Sequence, residues 1–305
     1  MPIRPGAVLP GATVGILAPA SPVQLPWLEA GEAELRRVGL VPRRSRNLLK
    51  RSGYTAGSAA ERTEDFLELL EDEEVSALFG ARGGYGCLDL LPRIPADRLR
   101  HSPKAILGGS DLTALLSLLS GAGVVSFHGP MVAQQIARGP SRWEAEETLG
   151  LLRAREPGFG LSWWNAEALH PGRAEGVLRG GCLSILAALA GTPFATSFRG
   201  AIAVLEDISV KPYQIERMLT QLALAGLLDG VRGIVFGRMP GCTQHPDQGY
   251  TTAELLARLS ERFEVPVVFG FATGHTDEHP CRTIPFEVRA RMDEDGLTLL
   301  EGAVE

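Results

Sequence analysis

The chain has 305 residues, enough for two domains of ordinary size or for one large α/β unit. Its apolar fraction of 45% and charged fraction of 22% are typical of a folded globular protein and exclude a disordered or fibrous one. The net charge of −6, the even spread of Lys and Arg, and the lack of a signal-peptide core or a run of about 18 apolar residues favour a cytoplasmic protein that binds neither nucleic acid nor membrane.

Short apolar runs alternate with amphipathic stretches over residues 13–130. The runs are TVGILAP (13–19), SALFGAR (76–82), AILGGS (105–110) and VVSFHGP (124–130). Runs of this length that end at Gly or Pro, with helix-period segments between them, are typical of a parallel sheet covered by helices. The sequence therefore predicts an α/β fold with a doubly wound parallel-sheet N-terminal domain over residues 1–136.

The rest of the chain has a different character. Residues 137–178 have little periodicity and many Arg, Glu, Gly and Pro, so we expect a linker and surface loops there. Strand-like and helical runs then alternate, and the last stretch has period two around Asp295-Gly296, which predicts a β-hairpin. Residues 179–305 are therefore predicted to form a β-rich α+β C-terminal domain.

Ser110 lies between a predicted strand and a predicted helix in KAILGGSDLTALLSLLS. On such a turn the hydroxyl is held clear of the sheet, and the next backbone N–H points to where an oxyanion would form, as in a nucleophile elbow. The G-x-S-x-G pattern is only partly present, because Leu112 stands in the place of the last glycine. A helix cap formed by Ser110 or Asp111 is the alternative.

A serine nucleophile needs a base, and the base needs an acid to orient it. Among the six histidines, His275 follows the strand-like PVVFGFATG, and α/β proteins place reactive groups at such strand ends. Glu206 and Asp207 end the buried run AIAVLED in the same way. From these residues alone, a surface or loop-capping role for His275 and a solubilising role for Glu206 remain open.

The glycine-rich stretch ARGGYG (81–86) follows the run SALFG. Its glycines let backbone N–H groups approach a ligand closely, either as a second oxyanion donor or as a phosphate-binding turn. The spacing of a dinucleotide-binding loop and the Lys-Ser/Thr of a Walker motif are both absent, which argues against a nucleotide.

Histidines and cysteines are dense towards the end of the chain. His275 and His279 have the spacing of zinc-binding helices, Cys281 follows them closely, and Cys242 and His245 lie earlier in the same half of the chain. Gly274 before His275 and Pro280 after His279 indicate a loop, and no C-x-x-C pair supports a structural zinc. We therefore predict neither a metal nor an organic cofactor.

Several motifs follow one another along nearly the whole chain: PGATVGILAPASP, ARGGYG, GGSDLTALL, FHGPM, GGCLSILAALAGTPF, LEDISVKPYQIERMLTQLALAGLLDGVRGIVFG and GFATGHTDEHPCRTIPFEVRA. In this order they resemble the LD-carboxypeptidases, serine peptidase family S66, which includes muramoyltetrapeptide carboxypeptidases and microcin C self-immunity proteins. The resemblance implies that the N-terminal domain carries the nucleophile and the C-terminal domain carries the acid and the base.

Position by position, the resemblance implies Ser110 as the nucleophile, Glu206 as the orienting acid and His275 as the base. The oxyanion donors would be the backbone N–H groups of Asp111 and Gly84. The resemblance also implies a homodimer.

Two positions depart from the family pattern and bear on substrate contacts. Cys182 stands where members commonly have Asn, and Gly109 stands where a bulkier residue is common. A cation should bind the terminal carboxylate of a peptide substrate, and Arg82 is our candidate. An ion pair between Arg82 and a nearby acidic residue is the alternative.

The function implied is release of terminal D-alanine from a cytoplasmic murein tetrapeptide, by hydrolysis of an L,D-amide bond during peptidoglycan recycling. One alternative is a microcin C immunity-type hydrolase that cleaves an aminoacyl-nucleotide amide, in which Trp163-Trp164 would stack on the purine. Another is a non-catalytic module that binds wall peptides, against which the intact Ser110, Glu206 and His275 argue. The expected partner is thus a small peptide or muropeptide.

Overall fold

The structure is a computed structural model that describes residues 2–245, 247–276 and 279–305. The strands are β1 (Thr13–Leu17), β2 (Val41–Arg44), β3 (Ala77–Gly80), β4 (Ala105–Gly108), β5 (Ser126–His128), β6 (Gly160–Ser162), β7 (Glu167–His170), β8 (Ala174–Cys182), β9 (Ala201–Glu206), β10 (Gly233–Gly237), β11 (Val267–Phe271), β12 (Ile284–Phe286), β13 (Arg289–Met292) and β14 (Gly296–Leu299). The helices are α1 (Leu25–Arg37), α2 (Ala59–Glu71), α3 (Ala96–His101), α4 (Thr113–Ala122), α5 (Ala145–Leu151), α6 (Leu183–Leu189), α7 (Pro212–Leu224) and α8 (Thr252–Ser260).

The first sheet has six strands in the order β12-β5-β4-β3-β1-β2. β1 to β5 run parallel, and β12 pairs antiparallel with β5. β3 and β4 are buried along their whole length, and strands buried on both faces have continuous apolar sequences, as these two do. The predicted parallel sheet is confirmed, and β2 (VPRR) is an additional, largely exposed edge strand with no apolar run to indicate it.

The second sheet has eight strands in the order β6-β14-β13-β8-β9-β10-β11-β7. β8 to β11 form its parallel centre, and the outer strands are antiparallel. The predicted hairpin is confirmed as β13 and β14, in which Ala290 lies opposite Leu299 and Met292 lies opposite Leu297. The C-terminal part of the chain is therefore β-rich, as expected.

The expectation of a linker and surface loops over 137–178 is wrong. This segment contains α5, β6, β7 and the first part of β8, so the predicted boundary after residue 178 falls inside a strand. β6 and β7 are short outer strands with few buried residues, and β8 is interrupted by glycines, so none of them has a clear apolar pattern. The division of the chain into domains stays a prediction.

The two sheets meet where α4 packs against the end of β8. The Thr113 hydroxyl accepts a hydrogen bond of 2.9 Å from the backbone N–H of Cys182. The contact needs a glycine in β8, because Gly181 has φ +128° and a Cβ there would lie 2.5 Å from Oγ1 of Thr113. Cys182 is the register partner of Glu206, so this contact brings the start of α4 close to the end of β9. In the described part of the chain, no helix combines the length and apolar character that a membrane crossing needs.

Candidate active site

Ser110 lies on a strained turn at the carboxyl end of β4. Gly109 is extended, Ser110 has φ 56°, and a short 3-10 helix over Ser110–Leu112 leads into α4. Positive φ at a residue other than glycine costs about 1–3 kcal/mol and is concentrated at functional sites. No side chain caps either helix start, since the Asp111 carboxylate instead accepts the N–H of Cys87 at 2.8 Å. The turn therefore has the form of a nucleophile elbow, and the capping alternative is not what the structure shows.

Glu206 and His275 form a buried hydrogen-bonded pair at the carboxyl ends of β9 and β11. Oε2 of Glu206 lies 2.7 Å from Nδ1 of His275 and accepts the His275 backbone N–H at 2.9 Å. The approach requires Gly274, where a Cβ would lie 2.3 Å from the Glu206 carboxyl carbon. The Glu206 side chain is 0% exposed and that of His275 is 16% exposed, so one edge of the ring reaches the surface.

Glu206 and His275 each stabilise the charged form of the other. Burial lowers the pKa of His275, but the Glu206 carboxylate and its hydrogen bond raise it more, and the net pKa lies above the ordinary value. Burial raises the pKa of Glu206, but His275 outweighs that effect and the net pKa is lowered. A carboxylate only accepts, so the bridging proton is on Nδ1 of His275, and in the neutral ring Nε2 keeps a lone pair.

Ser110 follows a strand of the first sheet, whereas Glu206 and His275 follow strands of the second sheet. Among the described residues Ser110 donates no hydrogen bond to His275, a contact that is often long in unliganded hydrolases and tightens when substrate binds. Two residues connect the sheets at this point. Thr113 of α4 accepts a hydrogen bond from the backbone of Cys182, and His128 is packed between Gly109 and Glu206.

Asp207, the second carboxylate of AIAVLED, has a different environment from Glu206. It is buried and accepts hydrogen bonds from the backbone N–H groups of Ser184, in the first turn of α6, and Ile208, at 2.8 and 2.9 Å. Burial raises its pKa, partly offset by these bonds. Asp207 therefore holds α6 against the end of β9 and does not face His275.

The glycine-rich loop covers the Ser110 turn. A Cβ on Gly83 would lie 2.7 Å from Oγ of Ser110, and one on Gly84, which has φ +113°, would lie 2.2 Å from Oγ of Ser21. Neither position has room for a side chain, because Gly83 lies against Ser110 and Gly84 lies against Ser21. Gly83 is the nearer of the two to the Ser110 hydroxyl. Arg82 is half-buried and donates to the Pro22 carbonyl at 3.1 Å, and within the described residues it forms no ion pair.

Cys182, Glu206 and His275 have ligand atoms within 4.8 Å of one another, so a metal ion has to be considered. Burial next to Glu206 raises the pKa of the Cys182 thiol well above its ordinary value, which disfavours the thiolate that a metal requires. Oε2 of Glu206 and Nδ1 of His275 are hydrogen-bonded to each other, which leaves a protonated thiol as the third group. A neutral thiol beside a carboxylate–histidine pair does not fit a metal centre, and no other such group exists among the described residues.

Two family models match this chain, and together they cover more than half of it. Residues 14–129 match the LD-carboxypeptidase N-terminal domain, and residues 175–292 match the LD-carboxypeptidase C-terminal domain. The chain belongs to the LD-carboxypeptidase family. The resemblance found in the sequence is thereby confirmed, and the family is one of peptidases, which are hydrolases.

Individual relatives and solved structures are similar to this family member over nearly its whole length. A Bacillus subtilis protein named probable murein peptide carboxypeptidase is 33% identical over 95% of this chain and 91% of its own length. The crystal structure of muramoyltetrapeptide carboxypeptidase from Oxalobacter formigenes is 30% identical, with a TM-score of 0.84 over 94% of this chain and 97% of that one. Microcin C7 self-immunity protein MccF, in complex with aspartyl sulfamoyl adenosine, shares the fold at a TM-score of 0.90 over the full length of both chains, with 24% identity.

Sequence reasoning about this LD-carboxypeptidase family member missed His128. In the sequence it belongs only to the strand-like VVSFHGP and to the motif FHGPM. The available signal was its position at the end of β5, the strand beside the one that leads to Ser110. Carboxyl ends of neighbouring parallel strands share one edge of the sheet, where reactive groups gather.

Proposed function

We propose that this protein is a serine hydrolase in which Ser110 is the nucleophile, His275 the general base and Glu206 the acid that orients it. The observation that carries the proposal is the buried Glu206–His275 pair beside a serine with φ 56° at the end of a parallel strand. A serine mechanism needs a serine held on a strained turn, a histidine whose Nδ1 is bound to a carboxylate, and a histidine ring that is partly exposed.

In the proposed mechanism, Nε2 of His275 takes the proton of Ser110 as Oγ attacks the scissile carbonyl. The developing imidazolium is stabilised by Glu206, whose negative charge is already fixed 2.7 Å from Nδ1. His275 then gives its proton to the leaving amine, and water attacks the acyl-enzyme with the same base. No step needs a metal or an organic cofactor.

The oxyanion of the tetrahedral intermediate would be bound by the backbone N–H groups of Asp111 and Gly84. Asp111 is in the first turn of the short 3-10 helix, where the N–H groups have no acceptor within the helix. The glycine loop is held against this turn by the bond from Cys87 to the Asp111 carboxylate. Gly83 is closer to Oγ than Gly84 is, so the loop offers a second N–H beside the one predicted.

The proposed substrate is a murein tetrapeptide, from which the enzyme removes the terminal D-alanine at an L,D-amide bond in the cytoplasm. The names of the Bacillus subtilis and Oxalobacter formigenes relatives support it. Arg82 supports it as well, because it lies in the glycine-rich loop beside Gly83 and its charge is unpaired among the described residues. A guanidinium in that position would bind the terminal carboxylate of the peptide. We also propose that the enzyme is a homodimer.

The second candidate is cleavage of an aminoacyl-nucleotide amide, as the likeness to MccF suggests. It would require an aromatic side chain to stack on the purine. Trp163 is unsuited, because it is packed against Phe271 and its indole N–H donates to the carbonyl of Asp293. Trp164 is 53% exposed and available for stacking, so this function is kept as the rival to be tested.

Mass spectrometry of two substrates incubated with the pure protein tests the proposal. A murein tetrapeptide and an aminoacyl sulfamoyl adenosine should be offered separately, with Ser110→Ala as the matched control and with 1,10-phenanthroline in a parallel reaction. We expect loss of D-alanine from the tetrapeptide, insensitivity to the chelator, and a fall on the order of 10⁶ in kcat for Ser110→Ala. Cleavage of the nucleotide alone would favour the rival, inhibition reversed by zinc would overturn the serine mechanism, and cleavage of neither would favour a binding module.

A further inference from the structure

His128 is buried beside the proposed catalytic acid and has no part in the mechanism above. Its Nε2 lies 3.7 Å from Oε1 of Glu206, and both side chains are 0% exposed. Among the described residues, neither ring nitrogen of His128 nor Oε1 of Glu206 has a hydrogen-bond partner. Buried polar atoms without partners are rare and costly, and where they persist a functional reason is to be sought.

The surroundings of His128 hold its ring in one place. The ring stacks on Phe286 of β12, with centroids 5.6 Å apart and planes at 16°. On the side of β4, a Cβ on Gly109 would lie 3.3 Å from Cε1 of His128. Glycine at position 109 therefore leaves room for this ring directly behind the nucleophile.

The two oxygens of Glu206 have different neighbours. Oε2 accepts both N–H groups of His275, whereas Oε1 faces Nε2 of His128. Burial lowers the pKa of His128, and Glu206 offsets this only in part, so the ring is neutral and carries one N–H. A proton on Nε2 points towards the negative carboxylate, whereas a proton on Nδ1 would turn the Nε2 lone pair towards it. The charge of Glu206 therefore favours the Nε2–H tautomer.

We propose that His128 is a positioning residue that acts through Glu206. Its neutral Nε2–H faces Oε1 and keeps the carboxylate turned so that Oε2 stays on His275. Without it the carboxylate is freer to rotate, and His275 is held less often in the orientation that accepts the Ser110 proton. This inference rests on the proposed function, because it requires Glu206 to be the acid of the triad.

Two variants separate this role from simple packing. His128→Phe keeps a ring to stack on Phe286 and removes both nitrogens, whereas His128→Gln places an amide N–H near the position of Nε2. The readout is covalent labelling of Ser110 by a fluorophosphonate probe, in which the P–O bond forms, fluoride leaves and the serine proton goes to His275. Labelling depends on the triad and not on the identity of the peptide substrate.

We expect His128→Phe to lower the maximal labelling rate by about 10-fold, because the 3.7 Å contact between Nε2 and Oε1 is longer than a hydrogen bond and its attraction is correspondingly weaker. The half-saturating probe concentration should stay unchanged, and His128→Gln should recover most of the rate. An unchanged rate in His128→Phe, or equal losses in both variants, would overturn the role of His128 while wild-type labelling leaves the proposed function intact. An unlabelled wild type would instead overturn the proposed function and this inference with it.

The tautomer of His128 can be measured in the wild-type protein, so this test does not depend on the folding of a variant. Nitrogen-15 chemical shifts of the wild-type protein should show His128 neutral at pH 7 with its proton on Nε2. A proton on Nδ1 would overturn the inference, because Nε2 would then present a lone pair to Glu206.

Discussion

Neighbouring carboxylates at the end of β9 take different roles because each faces a different set of donors. Glu206 points to the ring and backbone N–H of His275, and Asp207 points to the backbone at the start of α6. Successive side chains of a strand point to opposite faces, which explains the separation. One residue can therefore serve chemistry while the next stabilises the fold.

This separation predicts opposite effects for two conservative substitutions. Glu206→Gln should lose most of its activity and keep its folded structure, because the amide cannot supply the negative charge that stabilises the imidazolium. Asp207→Asn should keep most of its activity and lose about 1–3 kcal/mol of stability, because its amide nitrogen would face a backbone N–H. Turnover and urea unfolding measured on both variants decide the matter, and equal loss of turnover would contradict the assignment of the acid.

The raised pKa of His275 predicts the pH dependence of the reaction. The base must be neutral to accept the serine proton, so activity falls as pH drops through the folded-state pKa. Because Glu206 raises that pKa above the ordinary value of about 6.5, the acid limb of kcat/KM should lie above pH 6.5. A pH–rate profile with a limb at or below this value would show that Glu206 does not act on His275 as proposed.

At the scale of elements, the site depends on how closely helices and strands approach one another. α4 can reach β8 only because Gly181 lacks a side chain, and the Thr113–Cys182 bond then fixes the start of α4 relative to the end of β9. The positions of Ser110 and Glu206 are thus coupled through one glycine.

Gly181→Ala should therefore damage both stability and activity. Its φ of +128° is unfavourable for alanine, and the new Cβ would overlap the Thr113 side chain, a form of overpacking that costs about 1–3 kcal/mol beyond the backbone strain. Gly191→Ala is the matched control, since Gly191 has φ +87° with nothing within 4 Å of a Cβ and should show only the backbone cost. Thermal unfolding of both variants tests the expectation, and equal losses would mean that the α4–β8 contact tolerates a methyl group.

At the scale of the whole molecule, the candidate site lies where the two sheets meet. Ser110 and His128 come from the first sheet, and Glu206 and His275 come from the second. β12 returns from the C-terminal part of the chain to pair with β5, so that Ile284 lies opposite His128. The relative placement of the sheets therefore determines the geometry of the site.

Such a fixed geometry should discriminate the stereochemistry of the substrate. The enzyme should hydrolyse a peptide with a terminal D-alanine after an L centre and act poorly on the L,L peptide of the same composition. The reason is that Ser110, the oxyanion N–H groups and a cation such as Arg82 must be reached together, and inversion redirects the terminal carboxylate. Measured kcat/KM values for the paired peptides with a ratio near one would remove the L,D claim and leave the serine hydrolase proposal standing.

Local sequence patterns are sufficient to predict the buried parallel strands of the first sheet, the β13–β14 hairpin and the family. They also single out Ser110, Glu206 and His275 as candidates, because each follows a recognisable apolar run. Three features follow only from the folded chain: Glu206 and not Asp207 faces His275, strands lie within 137–178, and His128 lies beside Glu206. These features depend on contacts between distant parts of the chain, such as Glu206 with His275 across 69 positions, and local periodicity carries no information about such contacts.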